Sequence, residues 1–316
     1  MAELNLLCGS QLEGTKHIDI EQCLEELDKL VVMVRNETKR NLGRWERNPA
    51  EYENSIAHYK MGMLITVIRE DYKCKYNPDL VDLESPNFYK ENIPDDVFFA
   101  DASNVFLQGL LSGDKMGTCA SMPVLYAVVA RRLGYPVFLV ASKGHLFCRW
   151  EDEKERRNFE GTGEGITCNT DDYYKKFPRP ISDEELKQGY YLKNHTPQQE
   201  LAGSLLSRSA CLTAHNKHLD SSIAQLHALK LVMNHGGYIG LAGNLSRSEA
   251  FRKIRFSSSR IDAEEWMSKQ WAKGESKEAN KEKKQNTEQT LRNLLKNHPQ
   301  DKKRIEGMMR AEGIDP

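Results

Sequence analysis

The chain has 316 residues, 39% of them apolar and 29% charged, enough for about two domains and a hydrophobic core that needs no disulfide or metal to hold it. Lysine plus arginine is 45 and aspartate plus glutamate is 46, leaving a net charge of -1, which excludes a protein built as a whole to coat nucleic acid or an anionic membrane. No apolar run approaches the ~18 residues of a bilayer span, and the stretch from Met1 to Gly14 has no basic start and only a short apolar run at Leu6–Cys8, so no secretory signal is expected.

From Ile18 to Arg40 the apolar residues Ile20, Cys23, Leu24, Leu27, Leu30, Val31 and Val34 recur at three and four. This predicts an amphipathic helix capped by Asp19. A second helix is expected over Ser55 to Tyr72, and a proline-bearing loop over Asn77 to Asp96. Asp101 to Leu111 reads as a short helix. Ala120 to Leu133 is apolar nearly all round, the mark of a buried central helix. Gly134 ends it, and Pro136 pushes Tyr135 towards extended backbone. Val137 to Ala141 and His145 to Trp150 are strands around a Lys143-Gly144 turn. Glu151 to Arg157 is a charged hairpin tip, and a third strand starts at Asn158.

Helical patterns return at Asp183 to Tyr191, Pro197 to His215 and Leu219 to Met233, the last two resembling one tetratricopeptide-like pair. Arg247 to Ala272 reads as a further helical stretch. Beyond Lys273 the chain is rich in lysine and glutamate, with Leu291, Leu294 and Leu295 as its apolar cluster, and reads as a solvated helix or mobile tail. The division expected is a core over 1–180, a helical region over 181–272 and a tail over 273–316. The tail lacks the interleaved aromatics of a nucleic-acid binder, so neither nucleic acid nor membrane is an expected partner.

Seven cysteines, an odd number with no C-x-x-C pair, argue against a disulfide framework or a thiolate zinc site and for a reducing cytoplasm. His215 and His218 are spaced like metal ligands, but a third and fourth ligand in register are needed. No metal or cofactor is expected. The glycines at 161, 163 and 165 precede no helix with a phosphate-loop lysine.

One cysteine has a distinctive setting. Cys119 follows a glycine turn at the mouth of the central helix, where unpaired N–H groups and the helix dipole favour a thiolate. The same amides are candidate donors to a developing oxyanion. His145 opens a strand directly after Gly144. Asn158 and Glu160 share a face of the next strand, and either is placed to orient an imidazole. A cysteine nucleophile, a histidine base and an orienting acid give covalent acyl-transfer chemistry. Glu160 is favoured over Asn158, because a carboxylate supports an imidazolium better than an amide does. Gln108, upstream of the cysteine, is a candidate oxyanion donor.

Gly117-Thr118-Cys119, then Arg131-Arg132-Leu133-Gly134-Tyr135-Pro136-Val137, then Gly144-His145-Leu146-Phe147, then Asn158-Phe159-Glu160-Gly161-Thr162 together resemble the transglutaminase-like superfamily. The likeness is specific over about residues 101–165. It is nearest to a bacterial branch with flanking helices and C-terminal tetratricopeptide-like helices. The resemblance implies an α+β fold in which a papain-like core, a central helix against an antiparallel sheet, carries helical N- and C-terminal additions. It places the catalytic cysteine on Cys119, the histidine on His145 and the acid on Glu160, where the wider superfamily usually has aspartate. It implies a thiol-dependent protease, amidase or acyl transferase acting on a protein or peptide. The alternative is a catalytically silent protein that keeps the fold and holds a protein partner through its C-terminal helices.

Overall fold

The computed structural model describes residues 1–80, 93–161 and 165–232, and isolated positions beyond. The chain divides into two units, Met1–Arg252 and Lys253–Pro316. The helical region after residue 181 therefore shares the first unit with the expected core. In the second unit Met309 and Ile314 are buried and Arg292 pairs with Glu288 at 2.8 Å. The helical reading of Arg247 to Ala272, after Ser248, and the leucine cluster at 291, 294 and 295 lie outside the described residues.

A helix that the sequence did not announce, α1 (Ala2–Gly9), comes first. The long amphipathic helix α2 spans Ile20–Arg47, and Asp19 caps it by accepting from the Glu21 and Gln22 amides. It runs past the expected end at Arg40, with Arg44 and Arg47 set against its C-terminal dipole. α3 (Ile56–Thr66) starts at a Ser55 cap and passes into one wide turn over Val67–Asp71. The α3 start has a second, distant partner. Glu155, at the tip of the predicted hairpin, accepts from the Ala57 amide at 3.0 Å and from the Ser55 hydroxyl at 2.5 Å.

β1 (Lys75–Tyr76) pairs in parallel with β2 (Met116–Gly117). Between them lie α4 (Asp95–Phe98) and α5 (Leu107–Leu111). The central helix α6 covers Met122–Arg132, and every residue from Met122 to Ala130 is buried. The antiparallel sheet follows in the order β3 (Val137–Ser142), β4 (His145–Glu151), β5 (Arg156–Phe159). Ser142 faces His145 across the Lys143-Gly144 turn, where Gly144 has φ 92° and glycine is the residue at ease. Val137, Leu139, Cys148 and Trp150 pack into the main core with α6, while Val140, Phe147 and Tyr174 make a small cluster on the opposite face. The molecule is thus of mixed α+β class.

α7 (Asp171–Tyr174) and α8 (Asp183–Lys187) are short. The helix expected to run to Tyr191 stops at Lys187. Gly189 takes φ 75°, and the chain then lies along the free edge of β3, with Leu192 donating to the Ala141 carbonyl and His195 to that of Leu139, both at 2.9 Å. α9 (Pro197–Ala214) begins in a Thr196/Gln199 capping box and packs on α1 and on α10 (His218–Leu231). Among the described residues no helix is long and apolar enough to cross a membrane.

Candidate active site

Cys119 sits in a tight turn between β2 and α6. Gly117 is required there, because a Cβ would come within 2.6 Å of the Ser121 hydroxyl and 2.9 Å of Leu110. The Thr118 amide donates to the Ser121 hydroxyl at 3.0 Å, and both the Thr118 and Ser121 hydroxyls donate to the Asn104 carbonyl. This pins the turn and leaves Cys119, 6% exposed, on the wall of a cavity of about 420 Å³.

The amide supply differs from the expectation. α6 starts at Met122, not Ala120. Ala120 donates to the Thr118 hydroxyl, and Ser121 and Met122 donate to the Thr118 carbonyl. Among the described residues, the one backbone N–H of the turn that meets no protein acceptor is that of Cys119 itself.

His145 also lines the cavity. Its Nε2 pairs with Glu160, whose other oxygen accepts from the Gly161 amide at 3.1 Å. Backbone bonds in both directions between Glu160 and Thr167 fix that carboxylate. Tyr174 stacks on the imidazole at 6.1 Å between centroids and Phe177 meets it edge-on at 5.6 Å. Burial by itself would push the imidazole pKa down. The Glu160 charge, a side-chain contact from Cys119 and the hydrogen bond to Glu160 outweigh it and raise the value to about 10. Nδ1 is buried without an aligned hydrogen bond. With Nε2 held by Glu160, Nδ1 is the nitrogen left for the sulfur.

Two further sequence candidates lie elsewhere. Asn158 does not stand behind the imidazole. It accepts from Arg149 Nε at 2.7 Å and donates to the Asn169 carbonyl and to Asp171, both at 2.9 Å. Gln108 is no oxyanion donor here: its amide is turned to α1, where Nε2 donates to the Leu6 carbonyl at 2.6 Å. The reason is α1 itself, which passes so close that a Cβ on Gly9 would sit 2.7 Å from the Gln108 oxygen.

Burial raises the thiol pKa of the other six cysteines, with Cys74 and Cys211 pushed up to about 12. Cys148 faces the α6 side as its strand parity requires, 3.2 Å from the Pro123 carbonyl. His215 bonds the Ala100 carbonyl at 2.6 Å, and among the described residues no three His, Cys, Asp or Glu side chains gather as a metal site. The cavity also takes in Tyr190, His195, Gln199 and Glu200, none of which the sequence singled out. Their only signal was Gly189, the glycine that lets the chain leave α8 and run along the sheet. No protein-family model matches the chain, and no curated protein or solved structure matches it.

Proposed function

We propose that the protein is a thiol-dependent hydrolase or acyl transferase of transglutaminase-like type, its papain-like core formed by α6 against β3–β5. The observation that carries this reading is that His145 holds a carboxylate on Nε2, meets the Cys119 side chain, and shares with Cys119 the lining of one cavity. The raised imidazole pKa supports an imidazolium at His145 at neutral pH.

The thiolate attacks the carbonyl carbon of an amide or ester, and the oxygen takes the negative charge. The Cys119 N–H, without an acceptor among the described residues, is the candidate donor to that charge. The tetrahedral adduct collapses, the C–N or C–O bond breaks, and His145 gives its proton to the leaving amine or alcohol. Water or a second amine then adds to the thioester while His145 takes a proton from it, and the acyl group departs from the sulfur. Glu160 holds the ring orientation and balances its charge. A protein or peptide substrate in a reducing cytoplasm fits a cavity of this size with apolar walls at Val124, Leu139 and Leu146.

The test is site-resolved alkylation with iodoacetamide at pH 6, read by peptide mass spectrometry. Cys119 should react at least about a hundredfold faster than any other cysteine, since thiols raised by burial are almost wholly protonated there. Preferential labelling of Cys168, the most exposed of the seven, or no preference at all, would overturn the reading.

A further inference from the structure

The cavity continues beyond the reactive pair. It follows β3 from Ser142, opposite His145, past Ala141 to Leu139. Three residues of strand carry it about 10 Å along β3 from Ser142. There the wall passes to the extended segment along the β3 edge and to the first turns of α9.

Three polar groups define this recess. His195 is 5% exposed, and its Nε2 meets the Tyr190 carbonyl at 3.3 Å. A carbonyl only accepts, so Nε2 carries the proton. Burial drives the imidazole pKa down to about 4, so the ring is neutral and Nδ1 is an acceptor. Among the described residues no protein group donates to Nδ1, and the ring lines the cavity. The Tyr190 hydroxyl likewise has no protein partner and is not sealed. Burial pushes its pKa up to about 12, so it keeps its proton to donate. The third group, Glu200, is already neutralised by two bonds from Arg131 at 2.6 and 3.0 Å. Gly203 of α9 leaves the space open: a Cβ there would meet only the Tyr190 hydroxyl, at 3.8 Å.

We propose that this recess is a specificity pocket for a primary carboxamide that the substrate carries beyond the bond Cys119 attacks, about 10 Å along β3 from Ser142. His195 Nδ1 takes an amide N–H, and the Tyr190 hydroxyl donates to the amide oxygen. An ammonium would enter with Glu200 already spent on Arg131, and a carboxylate would face the His195 lone pair. Either charge would be desolvated with no opposite charge left to pair with it. The inference rests on Cys119 being the nucleophile of the proposed reaction.

The experiment alkylates the full chain with chloroacetamides whose linear arm of matching reach ends in a carboxamide, an ammonium, a carboxylate or a methyl group. Each rate at Cys119 is divided by that of iodoacetamide, which has no arm. The carboxamide arm should exceed the methyl arm by about fivefold to tenfold, the worth of one or two net hydrogen bonds. His195→Phe and, independently, Gly203→Leu should bring the carboxamide ratio down to the methyl ratio. Equal ratios for all four arms, or the highest ratio for the ammonium or for the carboxylate that Arg179 at the cavity rim would draw, overturns the pocket while leaving the nucleophile standing. Failure of iodoacetamide itself to label Cys119 overturns the nucleophile, and the pocket's role in the reaction with it.

Discussion

His145 and Arg149 stand on the same face of β4, and each meets a carboxylate from later in the chain: Glu160 for one, Asp171 for the other. Arg149 is 1% exposed, and each of its nitrogens has an acceptor. Nε bonds Asn158, Nη1 bonds the Leu192 carbonyl and Asn194, and Nη2 bonds Asp171 at 2.5 Å. His145 uses Nε2 on Glu160 and keeps Nδ1 unaligned beside a thiol at a cavity. The same strand face therefore ends in two different things. A buried charge with all its bonds made only holds structure together. A buried charge with one bond withheld is free to move a proton.

The comparison breaks most visibly when each cation is removed. His145→Ala should slow Cys119 alkylation at pH 6 by about a hundredfold, the usual worth of a positioned acid or base. Arg149→Met should leave that rate within about twofold but lower stability by about 2 kcal/mol, because Asn158 and the Leu192 carbonyl lose their buried donor while Asp171 keeps Arg156. Thermal unfolding and labelling, measured on both variants, separate the two roles. A slow Cys119 in folded Arg149→Met would mean that the two sites are one.

Removing only the acid has a smaller effect. Glu160→Gln should slow alkylation about tenfold, one pKa unit's worth of support for the imidazolium. Asn158→Ala should change that rate little while destabilising the Arg149 cluster. The pair also has a pH signature. The His145 pKa is raised in the folded state, so the ion pair stabilises fully below about pH 6.5, its unfolded value. That contribution is lost as pH rises through the folded value of about 10. Denaturant melts of wild type and Glu160→Gln should differ most near pH 6 and converge above pH ~10. A gap that widened with pH would refute the charge assignment.

The smallest effect belongs to Gln108. Its oxygen is buried without a partner while its nitrogen serves Leu6. Gln108→Leu should change stability by under about 1 kcal/mol, since an unsatisfied acceptor leaves with the lost bond, and Cys119 alkylation should not change.

Cys119, His145 and Glu160 were legible because the signals are local. A glycine turn opens a helix, a two-residue turn sets the strand register, and alternation puts His145 on the face opposite Cys148. Alternation could not choose between Asn158 and Glu160, which share a parity. The choice is made by Arg149, a neighbour across the β4–β5 ladder, which takes Asn158 for itself. Gln108 was misread for a similar reason: its fate depends on α1, some hundred residues earlier and too short and weakly patterned to predict. Tyr190 and Tyr191, where the edge segment begins, were read as the end of a helix because nothing within them records that β3 has an open edge to receive the chain.

The bond between Glu155 and the first turn of α3 ties a helix start to a hairpin tip about one hundred positions away. A helix whose opening amides are satisfied locally can form and fray by itself. In α3, Ser55 caps the His58 amide locally, but the Ala57 amide finds its acceptor only once β4 and β5 have met. Its first turn therefore belongs to the cooperative unit of the sheet, and the Ala57 amide should exchange its hydrogen in step with the strands rather than with the rest of α3.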